Sequence, residues 1–95
     1  MNVLDALGNP VRREILAALR HRPMAVGALA ERFSVSRPAI SRHLRLLQEA
    51  GLVASSERGA QNIYAIRVQG FQAVRDYIDS FWDVALSQLE ELARR

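Results

Sequence analysis

The spacing of apolar residues changes abruptly at Gly51. Before that residue, apolar side chains recur three or four positions apart, which is typical of amphipathic helices. After it, they alternate with other residues over Leu52–Glu57 and Asn62–Val68, which predicts two strands. The intervening residues 58–61 include Gly59, which can adopt the positive φ of a tight hairpin. The sequence therefore predicts a helical body followed by a β-hairpin.

The first fifty residues contain the signals of four helices. A short first helix ends at Gly8. Asn9 and Pro10 begin the second, because Asn caps a helix and Pro is tolerated at the first helical position. A third helix over residues 26–33 and a fourth over residues 36–50 are separated by a tight turn, which predicts a helix-turn-helix. A helix-turn-helix followed at once by a hairpin is a winged helix. The 95 residues form one such domain, with the helix-turn-helix at about 26–50, the wing at about 52–68 and a terminal helix at about 71–95.

Three arginines lie close together in the fourth helix, at Arg37, Arg42 and Arg45. On a helical wheel, Arg42 and Arg45 lie opposite the core stripe. That stripe consists of Ile40, Leu44 and Leu47. A DNA backbone would neutralise the repulsion between the arginines, and the exposed face of a recognition helix is where base edges and phosphates are contacted. We therefore predict a recognition helix for the major groove; the alternative is an ordinary solvated polar face.

The charge of the chain is unevenly distributed. Residues 1–68 carry ten Arg and five acidic residues, whereas residues 69–95 carry three Arg and five acidic residues, for a total of +3. A basic body with an acidic terminal helix is consistent with a polyanion-binding surface placed away from that helix.

The terminal helix has a broad apolar face. A helix that packs only on its own domain needs a stripe of about 100°, whereas these apolar side chains cover about half the circumference. We therefore predict that part of this face packs against a second subunit in a homodimer; the alternative is a wholly intramolecular helix. The predicted interface residues are Leu4, Leu7, Phe81, Trp82, Leu86 and Leu89.

The segments LDALGNPVRREILAAL and VGALAERFSVSRPAISRHLRLLQEAGLV, with the hairpin that follows, are similar to the ArsR-type (ArsR/SmtB) winged helix-turn-helix repressors. The similarity covers nearly the whole chain. It implies a mainly α fold with a small β-hairpin and a long C-terminal dimerisation helix. It also implies a set of DNA-facing residues: Ser36, Arg37, Ala39, Ser41, Arg42, Arg45 and, on the wing, Arg58. Ser34 stands where the family often has Gly, and Ala25 where it has a Ser or Thr cap; both changes should weaken local structure without altering the topology.

Many proteins of this type sense metals, but this sequence offers few ligands. It has no Cys and two His, His21 and His43, neither of them in the terminal helix. We predict that His43 is a partly buried packing residue. Three carboxylates share a face of the terminal helix, those of Asp76, Asp79 and Asp83. Such a face is usually solvated. The sequence therefore resembles the metal-independent, autorepressor-like branch, and we expect no metal and no cofactor.

No catalytic motif is present: the chain lacks G-x-S-x-G, a Gly-rich phosphate loop and H-E-x-x-H. We predict a homodimeric, sequence-specific repressor that binds a double-stranded DNA operator and is not an enzyme. A partner protein is a candidate for relieving repression. The alternatives are a winged-helix module that binds only protein and a metal-responsive repressor with an atypical site. No membrane span or export signal is recognisable, so we expect a cytoplasmic protein.

Overall fold

Five α-helices and a small sheet make up the computed structural model, which describes residues 1–95. The elements are α1 (Val3–Leu7), α2 (Pro10–Leu19), β1 (Met24–Ala25), α3 (Val26–Ala30), α4 (Arg37–Glu49), β2 (Val53–Arg58), β3 (Gln61–Ile66), a 3-10 helix (Val68–Phe71) and α5 (Gln72–Ala93). The predicted winged helix-turn-helix, mainly α with a β-hairpin, is confirmed.

Side-chain caps determine where α1 and α2 begin. The Asn9 Oδ1 accepts hydrogen bonds from the backbone N–H groups of Val11 and Arg12, at 2.9 and 3.2 Å. The Asn2 Oδ1 accepts from the N–H of Asp5 at 2.9 Å, and caps α1 in the same way. These bonds satisfy N–H groups that have no partner inside the helix.

The third helix is shorter than the sequence predicts. It ends at Ala30 instead of Phe33, and its first residue is preceded by Ala25, which makes no side-chain cap. Beyond Ala30 the chain turns through shorter-range bonds, from the Phe33 N–H to the Ala30 carbonyl at 3.4 Å and from the Arg32 N–H to the Leu29 carbonyl at 2.9 Å. An uncapped helix of five residues gains little from its own hydrogen bonds, so tertiary packing of Leu29 holds it in place.

The sheet contains one strand that the sequence pattern did not reveal. The strand order is β1-β3-β2, with both pairs antiparallel, and β1 adds the pairs Met24↔Tyr64 and Ala25↔Ile63 to the hairpin. The hairpin pairs residues 53–58 with residues 61–66. Its loop is therefore only Gly59-Ala60, and Gly59 has a φ of +61°. β1 ties the wing to the segment between α2 and α3.

The second strand of the hairpin ends earlier than predicted. β3 stops at Ile66, and Val68 begins the 3-10 helix with 74% of its surface exposed. The N–H of Arg67 donates to the carbonyl of Leu52 at 2.9 Å, just outside the paired strand residues. The predicted extension of the strand to Val68 was therefore wrong, because the chain turns there to enter α5.

The hydrophobic core lies between α1, α2, α3, α4 and the start of the wing. Its residues include seven side chains with almost no exposed surface: Ile15, Leu29, Ile40, Leu44, Leu47, Leu52 and Val53. Tyr64 and Ile66 of β3 and Phe71 of the 3-10 helix pack against this cluster. The helix-turn-helix and the wing therefore share one core.

Two glycines allow the chain to enter α5 close to the end of α4. Gly51 has a φ of +81°, which disfavours any other residue. A Cβ at Gly70 would lie 1.8 Å from the carbonyl oxygen of Gly51, so only glycine fits this crossing. The Arg67 Nη1 also donates to that carbonyl, at 3.3 Å. The direction in which α5 leaves the body is determined here.

The last helix extends away from the body. It has 22 residues, about 33 Å at 1.5 Å per residue, and the protein is 64 Å long in its longest dimension. Phe71 and Val74 are half-buried, but every residue from Arg75 onward is exposed. No helix of the protein is both long and apolar enough to cross a membrane.

Candidate nucleic-acid interface

The rotation of α4 is set by its buried stripe. Ile40, Leu44 and Leu47 are completely buried, so the opposite face of the helix points outward. Arg42 and Arg45 lie on that face and are exposed, as the wheel predicts. The start of the helix is defined by Ser36, whose Oγ accepts from the Ala39 N–H at 3.3 Å.

The arginines of this face have no acidic partners in the protein. The only salt bridge joins Arg75 and Asp79 of α5, 3.8 Å apart and both exposed. Arg42 and Arg45, like Arg58 on the wing, therefore form no ion pair within the chain, and their donors are available to another molecule. Free guanidinium groups can bind phosphate oxygens and can donate two parallel hydrogen bonds to guanine.

Arg37 points in a different direction from Arg42 and Arg45. Its guanidinium lies over Gly27 of α3, 3.7–3.9 Å from where a Cβ of that residue would be. It also lines a cleft of about 170 Å³ between the start of α3 and the tip of the wing. The wing residues in this cleft are Ala60, Gln61 and Asn62. The structure thus separates the three predicted arginines into an outer pair and one that lies beneath the wing.

The other predicted contact residues of α4 differ in how much side chain they present. Ser36 is exposed, but its hydroxyl oxygen is occupied in capping the helix. Ala39 and Ser41 are half-buried on the flanks of the exposed face. On the wing, Arg58 is the last residue of β2, paired with Gln61, and is exposed beside the two-residue loop. It is the only cation at the wing tip, and Glu57 precedes it in β2.

A buried arginine beneath the recognition helix was missed at the sequence level. Arg12 in α2 is only 8% exposed and is the one buried charged residue of the protein. Its Nη1 lies 3.5 Å from the Nδ1 of His43 in α4. The signal was present, because Arg12 falls inside the apolar stripe, between Leu16 and Leu19 on the wheel. His43 is half-buried, as predicted.

The environment of His43 favours its neutral form. Burial is the first cause that lowers the pKa of His43, and the positive charges of Arg12 and Arg42 lower the pKa further. A neutral imidazole carries one acceptor nitrogen, and Arg12 can only donate. The contact therefore assigns the acceptor role to Nδ1 and the proton to Nε2.

The predicted dimer residues of α5 are uncovered in the single chain. Phe81, Trp82, Leu86 and Leu89 expose between 57% and 64% of their surface. Leu4 of α1 is also exposed, and it lines a largely apolar groove of about 280 Å³ between α1 and the first turns of α5, with Val3, Val74 and Tyr77 among the other lining residues. Leu7 differs, because it is half-buried against the core of its own chain.

The three aspartates of α5 do not form a cluster. Asp76 accepts a hydrogen bond from Gln72 Nε2 at 2.9 Å, and Asp79 is paired with Arg75. Asp83 is exposed one turn further along. No group of three His, Cys, Asp or Glu side chains is placed to hold a metal ion.

Comparison with known proteins identifies the family. Residues 7–56 match the model of a helix-turn-helix domain, which is more than half of the chain. The chain is 41% identical over 88 residues to the HTH-type transcriptional regulator Rv2034 of Mycobacterium tuberculosis, across 93% of this chain and 82% of that protein. It is 35% identical over 71 residues to the transcriptional repressor SdpR of Bacillus subtilis, across 75% and 79% of the two chains. An ArsR-like transcriptional regulator from Rhodococcus sp. RHA1 superposes with a TM-score of 0.73 and 33% identity, over 97% of this chain and 87% of that one. The chain belongs to the ArsR family of winged helix-turn-helix regulators.

A second solved structure supports the same family. A crystal structure of a "possible transcriptional regulator for arsenical resistance" superposes over 96% of this chain and 95% of the other, with a TM-score of 0.81 and 37% identity. The chain is thus a DNA-binding transcriptional regulator of the repressor type, and not an enzyme, as the sequence predicts.

Proposed function

We propose that this ArsR-family protein is a homodimeric autorepressor that reads its operator with the outer face of α4. The observation that carries the proposal is the exposed pair Arg42 and Arg45, which no acidic side chain neutralises, directly opposite the buried stripe of the helix. A module that bound only other proteins would have no need for this concentration of free positive charge.

The DNA contacts divide between bases and backbone. Arg42 lies at the middle of the exposed face, where a side chain reaches base edges when the helix lies in the major groove. Arg45 lies about one helical turn after Arg42 and can contact a base edge or a phosphate. Ser36, Ala39 and Ser41 border the groove side of the helix. Arg37 lies beneath the wing, and Arg58 contacts the DNA backbone beside the wing tip. The wing contributes less than the helix, because it carries one cation.

The exposed apolar face of α5 supports the homodimer. Four large apolar side chains of this helix are more than half exposed. Their hydration is unfavourable, and an exposed apolar surface of this kind marks an interaction site. A two-fold axis beside α1 and α5 would present two recognition helices to successive major grooves, about 34–36 Å apart. Leu4 extends the interface onto α1, and Leu7 belongs at its margin.

Regulation by a bound metal is not part of the proposal. The chain has no thiolate ligand, and neither His21 nor His43 belongs to a group of three side chains placed to hold a metal ion. Repression is then relieved by a change in protein concentration or by a partner protein. The protein acts in the cytoplasm, and its operator lies near its own gene.

Tiled DNA fragments from upstream of the protein's own gene test the proposal. We expect one fragment to bind at least about a thousandfold more tightly than a scrambled fragment of the same composition, as specific sites generally do. The affinity should fall steeply as salt rises, because the arginines release counterions from the phosphates. Equal, weak binding to all fragments would instead favour a module whose partners are proteins.

A further inference from the structure

The carboxyl end of α1 is closed by two neighbouring arginines of α2. Arg12 donates from Nε to the carbonyl of Ala6 at 2.8 Å and from Nη2 to the carbonyl of Asp5 at 3.2 Å. Arg13 donates from Nη1 to the carbonyl of Leu7 at 2.8 Å. α1 fully buries only Ala6, with Val3 and Leu7 half-buried against the core, so these charged hydrogen bonds add to the limited packing that holds it to the body.

Arg12 differs from Arg13 because it also reaches the recognition helix. All three of its guanidinium nitrogens are engaged: two by α1, and the third, Nη1, 3.5 Å from the Nδ1 of His43. Arg13 is exposed, and its side chain hydrogen-bonds only to α1. A single buried side chain thus joins the first helix, the second helix and α4.

A buried arginine without a carboxylate is an expensive way to fill this space. Its charge must be compensated entirely by carbonyl dipoles and an imidazole, whereas an apolar side chain would need no compensation. What the guanidinium adds is fixed geometry, since its planar fork sets the directions of its hydrogen bonds. The same charge, together with burial, lowers the pKa of His43 and keeps its ring in the form that accepts from Arg12.

We propose that Arg12 is a positioning residue for DNA recognition: it holds His43, and with it the rotation of α4, at a fixed place relative to α1. This inference rests on the proposed function. Because α1 borders the proposed subunit interface, Arg12 would connect the element that joins the two subunits to the helix that reads the operator. The spacing and tilt of the two recognition helices would then depend on a side chain that touches neither DNA nor the partner.

Operator binding by Arg12→Met and by the matched control Arg13→Met tests the proposal. Arg12→Met removes two hydrogen bonds to α1 and the contact with α4, whereas Arg13→Met removes one hydrogen bond to α1 and no contact with α4. We expect Arg12→Met to bind the operator at least about tenfold more weakly, while scrambled DNA is bound as by the wild type; tenfold is the scale of one lost charged hydrogen bond, here the contact between Arg12 and His43. Arg13→Met should stay within about threefold of the wild type, as expected for an exposed group. Sedimentation should show that both variants remain dimers. Equal effects in the two variants, or a loss explained by monomers, would overturn the proposal.

A double variant separates positioning from simple support of the fold. If Arg12 acts through His43, then Arg12→Met should have no further effect on operator affinity in a His43→Leu background; additive losses would contradict the proposal. Proton NMR titration of the two histidines gives a second reading. The pKa of His43 should rise in Arg12→Met and stay as in the wild type in Arg13→Met.

Two outcomes keep this inference distinct from the proposed function. A wild type that finds no operator refutes the proposed function, whereas a wild type that binds its operator while Arg12→Met binds equally well refutes only the role of Arg12. If Arg12→Met does not fold, Arg12→Lys keeps the buried cation but offers one nitrogen in place of three. That variant must also lose operator affinity, and wild-type affinity in Arg12→Lys would overturn the proposal.

Discussion

Truncation of Leu89 gives a measurable estimate of what α5 contributes to the dimer. Leu89 exposes 61% of its surface in the single chain. Full burial of a leucine is worth about 1.5–3 kcal/mol, so covering the exposed part corresponds to about 1–2 kcal/mol per subunit. The two-fold axis doubles this to about 2–4 kcal/mol per dimer. Leu89→Ala should therefore raise the dimer dissociation constant by about 30-fold to several hundred-fold.

Sedimentation over a range of concentrations measures that constant directly. Leu89→Glu is the stronger test, because it would place an unpaired charge in the interface and should produce monomers at micromolar concentration. Ser87→Glu is the matched control, since Ser87 lies on the opposite face of the same turn. The helical content of all three variants should match the wild type, because Leu89 is not part of the core. Operator affinity of Leu89→Glu should fall together with dimerisation, as each half-site alone is weak.

Two results would refute this reasoning. A wild type that is monomeric at micromolar concentration would leave the apolar face of α5 without the proposed neighbour. A Leu89→Glu variant that remains a dimer with full operator affinity would place the subunit contact elsewhere on the chain. Either result would leave the fold and the recognition helix unaffected.

Three further predictions concern the crossing near α5, His43 and metals. Gly70→Ala should destabilise the fold by about 1–3 kcal/mol or more, because its Cβ would meet the backbone of Gly51 at 1.8 Å; an unchanged denaturation midpoint would contradict the crossing. The pKa of His43 is lowered in the folded state, so the unfolded chain binds more protons, and stability should fall as the pH drops below the ordinary value of 6.5. His43→Leu should flatten that slope in denaturation curves between pH 5 and pH 8, and an unaltered slope would assign it to another group. Operator affinity should be equal with zinc and with chelator, and a reversible zinc effect of about tenfold or more would disprove metal independence.

The elements with a long or regular pattern could be predicted from the sequence. Ile40, Leu44 and Leu47 fix the face of α4 by spacing alone, and the alternation after Gly51 identifies the hairpin. The wide apolar face of α5 can also be recognised in the sequence, because its width follows from the residue spacing alone and does not depend on which elements pack against it. In each case the pattern repeats over at least two turns or four strand residues.

The features that depend on contacts between distant segments were not predicted. β1 has two residues, too few for any period, and exists only because Met24 and Ala25 pair with β3. The direction of Arg37 depends on the close approach of Gly27 in another helix. Arg12 was overlooked because a charged residue is expected at the surface unless buried hydrogen-bond acceptors for it are known. The acceptors in α1 are the backbone carbonyls of Asp5 and Ala6, and every residue has such a carbonyl, so the sequence does not reveal them.

Binding of Arg42→Ala to operator and to scrambled DNA tests the central claim most directly. Arg42 is exposed at the middle of the recognition face, and Arg94→Ala makes the same change of charge at the far end of α5. The account predicts that Arg42→Ala loses about 1–3 kcal/mol of operator affinity and keeps most of its affinity for scrambled DNA, while Arg94→Ala matches the wild type on both. Equal weakening on both DNAs would make Arg42 a phosphate contact. An Arg42→Ala variant that binds operator as tightly as the wild type would contradict the claim that this face of α4 reads DNA.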